Sequence, residues 1–130
     1  AVTAPSPAYE QARAAARSGD LSTAERLAAQ VAQAELLPEA FLLLAMAAES
    51  RHDLQRAIEA VRRALYLEPS LVMGHAMLVA LHTKSGATDD ADRARRNALR
   101  LLEGVDEETL VRAVEPITAG TLRRALGERT

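Results

Sequence analysis

The chain has 130 residues, enough for one domain with its own core, and nearly half of them are hydrophobic but only three are aromatic. A formal net charge of −2 with interspersed signs argues against nucleic-acid and membrane partners, and the absence of cysteine excludes disulfides and thiolate metal sites. The longest apolar run, residues 40–48, is far shorter than the ~20 residues that span a bilayer, and no export signal opens the chain, so we expect a cytoplasmic protein.

The first seven residues, AVTAPSP, predict a linker because they combine two prolines with Ser and Thr and show no periodicity. From Ala8 onward, apolar residues recur at helical spacing and predict a helix, a turn at Gly19 and a second helix that ends near Leu36. Gly19 can adopt the positive φ that ends a helix, and Asp20 or Ser22 can cap the next one.

Residues 38–69 carry the clearest pattern, with one amphipathic helix predicted over 38–50 and another over 54–67. Alanines stand where the two apolar stripes meet, so the helices can pack closely. Pro69 ends this unit because it has no amide hydrogen and clashes with a continuing helix. A third pair follows, with a helix from near Leu71 to His82 and another from Thr88 to Glu103.

The turns inside the three pairs repeat at a fixed interval. Gly19, His52 and Gly86 follow one another at spacings of 33 and 34 residues, and this period indicates a repeat protein. His52 stands where the other two units have glycine, so we expect it to adopt a left-handed conformation at some cost.

After Gly104 the pattern breaks into a spacer over residues 105–117. Asp106 could cap a short helix within 105–116, and a loop is the alternative that the polar composition favours. A last helix is predicted over 118–127, with Ile117, Leu122 and Leu126 covering the end of the third unit. The predicted fold class is therefore all-α, with seven helices and no strand.

The middle unit resembles the 34-residue tetratricopeptide repeat (TPR). Phe41 stands at the aromatic position of the repeat, and Leu44 and Ala45 stand at its Leu-Gly pair. Ala57 and Ala64 stand at its two small positions, and Pro69 stands at its proline position. This resemblance implies a TPR solenoid of three helix-turn-helix repeats plus a C-terminal capping helix. The single TPR domain would cover residues 8–127, with repeats at about 5–37, 38–71 and 72–104 and the capping helix at 118–127.

A narrower resemblance covers about residues 8–126. The runs RRALYLEP, NALRLLEG and ITAGTLRRAL are similar to the TPR region at the C-terminus of CheR-type chemotaxis receptor methyltransferases, and Thr-Ala-Gly at 118–120 is the most specific element. The resemblance implies a parent enzyme that transfers methyl groups from S-adenosylmethionine to receptor glutamates, and this chain would be its accessory module. Because the chain opens on Ala1 rather than methionine, we expect it to be part of a longer protein.

As an accessory module, the chain is expected to regulate or recruit the methyltransferase and not to be an enzyme itself. The expected partners are proteins: the methyltransferase catalytic domain, a chemoreceptor or another signalling protein. No cofactor is expected in this fragment, because it has no glycine-rich loop after a strand. The alternative function is a free-standing TPR scaffold or adaptor that is unrelated to methylation.

The TPR resemblance also places a partner-binding groove on the concave face, along the first helix of each repeat. The residues that it assigns to this groove are Tyr9, Arg13, Leu42, Met46, Met73, Ala76 and Ala80. This apolar strip suits a nonpolar helix or peptide, unless another part of the parent protein fills it. Leu42 and Met46 are expected to be replaceable by Glu with little loss of stability. The alternative binding surface is a basic face formed by Arg93, Arg96 and Arg100.

No catalytic residue and no metal site is predicted. His75 and His82 lie seven residues apart on one helix, about 10 Å along its axis, which is too far for one metal ion. Glu107 and Glu108 lie in a polar spacer with no pocket to raise a carboxyl pKa.

Overall fold

The computed structural model describes residues 6–127. This part of the chain contains seven helices and two short strands: α1 (Pro7–Arg17), α2 (Leu21–Glu35), α3 (Pro38–Ser50), α4 (Leu54–Leu67), α5 (Val72–Lys84), α6 (Thr88–Leu101), β1 (Leu110–Val111), β2 (Ile117–Thr118) and α7 (Ala119–Ala125). Helices joined by short turns pack as the pairs α1/α2, α3/α4 and α5/α6, and α2 and α4 each pack on the first helix of the next pair. The predicted all-α solenoid of three helical pairs is confirmed.

The first helix begins earlier than the sequence pattern indicated. Pro7 is its first residue, and the Ser6 Oγ accepts a 3.1 Å hydrogen bond from the Tyr9 N–H. Proline suits this position because its missing amide hydrogen would have no partner there. Residues 6 and 7 therefore belong to the helix start rather than to the predicted linker, whose residues 1–5 lie outside the described part.

The expectation of a chain without strands is wrong at two places. Strands β1 and β2 pair antiparallel, with Leu110 opposite Thr118 and Val111 opposite Ile117. The residues between them turn back across the helical surface, which brings the two ends side by side. The spacer is non-helical throughout, as its composition favoured.

The three turns within the pairs have the same backbone geometry. Gly19, His52 and Gly86 have φ values of 85°, 67° and 80°, and the N–H of each following residue donates to the carbonyl five positions earlier. This is the Schellman arrangement, which satisfies carbonyls at a helix C-terminus. The predicted left-handed conformation of His52 is confirmed.

Replacing His52 with glycine should stabilise the protein by up to about 1 kcal/mol, because glycine adopts this φ without steric cost. The converse control is Gly19→Ala, where an added Cβ meets no atom within 4 Å and only the φ of 85° opposes it. That variant should lose about 1 kcal/mol. Urea unfolding of both variants provides the measurement, and a clear loss of stability in His52→Gly would contradict the expectation.

The helix that follows each turn starts at an equivalent position, but the caps differ. Asp20 caps the start of α2 by accepting a 3.2 Å hydrogen bond from a backbone N–H group. Asp53 caps the start of α4 in the same way, with a hydrogen bond of 3.1 Å. Ala87 occupies this place before α6 and has no side-chain oxygen to offer. The third repeat therefore lacks a cap that the first two possess.

Ala87→Asn should stabilise the protein by about 1 kcal/mol by supplying the missing acceptor. Asparagine adds no charge next to Asp89 and Asp90 in the first turn of α6. Asp53→Ala is the matched control and should lose a similar amount. Thermal unfolding of the two variants checks this, and equal melting temperatures for Ala87→Asn and the parent chain would rule out the capping argument.

Helix α3 lies at the centre of the core and is buried on almost every side. Leu42, Leu43 and Leu44 are all buried, whereas Met46 is 41% exposed. A helix that is apolar around its whole circumference requires neighbours on every face. Helices α2 and α4 cover two of these faces, and the Val114 side chain from the spacer joins the same hydrophobic cluster.

The end of the solenoid is closed by α7. Ala119 and Leu122 of α7 and Leu126 at its C-cap form a second hydrophobic cluster. The other members are Ala98 of α6, Leu102 at its C-cap and Val111 of β1. Arg95 donates a 3.1 Å hydrogen bond from Nε to the Leu126 carbonyl at the C-terminus of α7. The C-terminal helix therefore covers the third repeat.

Candidate functional site

The face lined by α1, α3 and α5, which the TPR resemblance makes the concave one, holds a segment of the same chain, residues 110–116, which we call the groove segment. Its Val114 is only 7% exposed and belongs to the main hydrophobic cluster together with Leu42. Ion pairs on either side of Val114 fix the segment to α1, α3 and the end of α4. The groove is therefore occupied in cis.

The first ion pair lies at the start of the segment. Arg112 donates from Nε and Nη2 to the two Glu39 oxygens at 2.6 and 2.7 Å, and from Nη1 to Glu68 Oε2 at 3.2 Å. Two parallel bonds from a guanidinium to one carboxylate fix orientation as well as position. The Glu39 carboxylate raises the pKa of Arg112 above its usual value.

The second ion pair lies at the other end. Glu115 accepts hydrogen bonds from Arg17 Nη2 and Nε at 2.8 and 3.2 Å and from Arg13 Nη2 at 3.1 Å. These bonds, from Arg17 first and then Arg13, lower the pKa of the Glu115 carboxyl. The solenoid thus presents carboxylates to one end of the segment and guanidinium groups to the other.

A mostly apolar pocket of about 240 Å³ lies beside Val114. Its walls are Leu42, Met46, Glu49, Met73 and Met77 from the helices and residues 113–115 from the groove segment. Methionine side chains are flexible, so such a pocket can adapt to different apolar groups. The resident valine leaves this volume unfilled.

Tyr9 lies at the α1 end of the groove and is 3% exposed. Burial raises the pKa of its hydroxyl to about 12, and the nearby charges of Glu39 and Glu115 act in the same direction. The Arg13 guanidinium carbon lies 5.8 Å from the centre of the Tyr9 ring. Within residues 6–127, neither the Tyr9 hydroxyl nor the buried Arg13 Nε has a hydrogen-bond partner.

The seven residues assigned to the groove from sequence differ in their surroundings. Tyr9 and Leu42 are buried and Met46 and Ala80 are exposed, whereas Ala76 is half-buried against the cluster around α7. Two further members, Arg13 and Met73, are half-buried, one at an ion pair and one in the pocket wall. Leu42 is buried beside Val114 rather than open at the groove surface, so we no longer expect it to be replaceable by Glu.

Comparison with known proteins identifies the fold. No protein-family model and no curated protein sequence matches the chain. A chain of the MamA RS-1 ArsTM double mutant matches with a TM-score of 0.69 and 22% sequence identity. The match covers 76% of this chain but only 57% of the MamA chain. A chain of a CopN–Scc3 complex matches with a TM-score of 0.76 and 12% identity, covering 95% of this chain and 67% of that one. Both neighbours are TPR-like helical repeat proteins.

The fold is a TPR-like solenoid. Among the residues that the structure describes, no helix is both long and apolar enough to cross a bilayer.

The Thr-Ala-Gly run at 118–120 closes the TPR-like solenoid. The Thr118 side chain caps α7, and the N–H groups of Ala119 and Gly120 donate to the Thr109 and Glu107 carbonyls at 2.8 and 2.9 Å. A Cβ on Gly120 would lie 3.1 Å from the Cβ of Glu107 and 3.3 Å from its carbonyl oxygen. Only a residue without a side chain leaves this approach unhindered, so the run ties α7 to the start of the spacer.

The alternative basic face lies on α6. Arg93, Arg96 and Arg100 are all exposed, and Arg93 Nη1 is 3.8 Å from Asp90 Oδ1. This is an ordinary solvated helix face, and nothing in its geometry marks a bound anion. Of the two histidines on α5, His75 Nε2 lies 2.9 Å from the Pro69 carbonyl and His82 is buried.

Sequence reasoning did not single out Arg112 and Glu115, the two residues that hold the groove segment. A signal was present, because VRAVEP places one positive and one negative side chain around two small apolar residues. Arg13 and Glu39, which lie at concave positions of the first two repeats, carry the complementary charges. The two charge patterns are complementary, but a chain with 16 basic and 18 acidic side chains contains many other complementary pairs.

Acid should loosen the groove segment. The pKa of Glu115 is lowered in the folded protein, so its contribution is complete above the ordinary value of 4.5 and is lost as the pH falls through the folded pKa. The side chain is 57% exposed, so we expect a shift in the segment's position rather than global unfolding. The Val114 methyl signals in NMR spectra between pH 6 and pH 3 report this change.

Glu115→Gln is the control, because it removes only this titration. Its Val114 signals at pH 6 should already resemble those of the parent chain in acid. If both proteins show the same pH profile, then another carboxylate controls the segment.

Proposed function

We propose that the TPR-like solenoid is a protein–protein interaction module of a CheR-type receptor glutamate methyltransferase in a chemosensory pathway, and that it regulates or recruits the enzyme. The observation that carries the proposal is the groove itself, which holds a hairpin loop of the same chain by charged contacts at both ends and an apolar side chain between them. The close packing at Gly120 gives a structural reason for the run on which the CheR resemblance rests.

In this proposal the chain supplies binding and no chemistry. Its partners are the methyltransferase catalytic domain, a chemoreceptor or another signalling protein, and it works in the cytoplasm without a cofactor. S-adenosylmethionine would bind to the catalytic domain of the parent protein. Calorimetric titration of this chain with S-adenosylmethionine should therefore give no binding heat.

The test is titration of the chain with a purified CheR-type catalytic domain and, separately, with the cytoplasmic part of a chemoreceptor. We expect binding to at least one of them and a changed rate of receptor methylation when the chain is added. Glu39→Arg should weaken this binding if the groove is the docking surface. A triple change of Arg93, Arg96 and Arg100 to Glu should weaken it if the basic face is used. Absence of binding to both proteins would contradict the proposal.

The second candidate is a TPR scaffold or adaptor that is unrelated to methylation. The match to a chain from the CopN–Scc3 complex supports it, because that match covers 95% of this chain and comes from a complex of two proteins. This candidate predicts capture of a protein outside the chemosensory pathway and no effect on methylation.

A further inference from the structure

The groove segment shows which peptide chemistry the concave face recognises. The solenoid supplies three contacts along the segment: the carboxylates of Glu39 and Glu68, the methionine-lined pocket, and the guanidinium groups of Arg13 and Arg17. The charged groups and the methionines belong to the helices or the end of α4, whereas residues 113–115 of the groove segment form the remaining wall of the pocket. The helical groups would meet any peptide loop that lies in the same place.

The resident segment fills this site incompletely. The pocket beside Val114 has a volume of about 240 Å³, far above the roughly 10–15 Å³ that one water needs by the same measure. The Tyr9 hydroxyl and the Arg13 Nε are buried without a partner in the described part of the chain. Buried polar groups normally have partners, so a better ligand would supply them.

We propose that the groove binds a hairpin loop of a partner protein that carries arginine, then a large aliphatic residue two positions later, then a carboxylate in the next position. The groove segment, with Arg112, Val114 and Glu115 in those places, is the resident competitor that this loop displaces. Leucine or methionine in the middle place would enter the pocket that valine leaves open. This inference rests on the proposed function as an interaction module and names the partner's chemistry.

Competition between the groove segment and an added peptide sets how much the peptide's affinity should change when the segment is released. A tethered segment acts at an effective concentration of the order of 1 mM. If its intrinsic Kd is about 0.1 mM, removing it from the groove should tighten binding of an added peptide about tenfold. Each additional buried methylene should tighten binding about fourfold.

The experiment uses the full chain and two fluorescein-labelled peptides, with fluorescence anisotropy as the readout. One peptide is TLVRAVEPI, the sequence of residues 109–117, and the other is TLVRALEPI, with leucine in the place of Val114. The charge-exchanged peptide TLVEAVRPI is the control. In the opened variant, Arg112→Ala with Glu115→Ala, the groove helices are unchanged but the segment loses both ion pairs.

We expect the opened variant to bind TLVRAVEPI about tenfold more tightly than the parent chain and TLVRALEPI about fourfold more tightly again. The charge-exchanged peptide should not bind, and Glu39→Arg should abolish binding of TLVRAVEPI. If circular dichroism shows that the opened variant is unfolded, Glu115→Ala alone provides the same comparison, because that side chain is 57% exposed.

Equal affinity of the opened variant and the parent chain, or equal binding of the charge-exchanged peptide, would overturn the proposal. So would a concentration-dependent dimer in analytical ultracentrifugation with no peptide binding, because the segment would then be exchanged between two copies. Failure of the methyltransferase titration with successful peptide binding would change only the identity of the partner. Failure of the peptides with successful capture of the catalytic domain would leave the module intact and move docking to another face.

Discussion

Replacing Leu42 with glutamate should destabilise the protein by about 4 kcal/mol or more, which is close to the whole stability of many small domains. Leu42 is fully buried in the main hydrophobic cluster beside the groove segment, so the new carboxylate would have to enter an apolar site. Removing a buried leucine side chain alone costs about 2–5 kcal/mol, and an unpaired charge adds to this loss. Urea unfolding followed by circular dichroism measures the effect.

Met46→Glu is the matched control, because it makes the same kind of change one helical turn away on the same face. Met46 is 41% exposed, so its carboxylate would remain in water and should cost about 1 kcal/mol or less. The sequence alone had predicted that both positions tolerate glutamate. If Leu42→Glu unfolds at the same urea concentration as Met46→Glu, the groove segment does not seal this position in solution.

Removing residues 117–130 should lower stability by about 3–6 kcal/mol and cause self-association, with helix content reduced by little more than the deleted residues. The deletion takes away the buried side chains of Leu122 and Leu126, each worth about 1.5–3 kcal/mol, and exposes Leu102 to solvent. It also removes strand β2 and the N–H donors of α7 that hold the spacer. Scanning calorimetry and analytical ultracentrifugation measure the two effects.

A shorter deletion, of residues 127–130, is the control that distinguishes loss of the capping helix from loss of the chain end. It leaves Leu122 and Leu126 in place and removes only one described residue, Gly127. This shorter chain should melt within a few degrees of the full chain. A monomeric 1–116 chain with the full chain's melting temperature would show that α7 has no capping role.

The sequence alone determined the helices, their pairing and the turns between them, because these features depend on residues close together in the chain. The apolar period marks each helix, and Gly19, His52 and Gly86 mark turns that need a positive φ. The sequence left open whether Asp20 or Ser22 caps α2, and the structure shows that Asp20 does.

Only the tertiary structure decided where the spacer lies and therefore what fills the groove. Arg112 meets Glu39 across 73 residues, and Glu115 meets Arg13 across 102. With 16 basic and 18 acidic side chains in the chain, no local pattern selects these pairs. The burial of Leu42 follows from that path, because a concave position is open or sealed according to which distant segment crosses it. Local rules thus specified the solenoid, and long-range charge and shape complementarity specified its occupied groove.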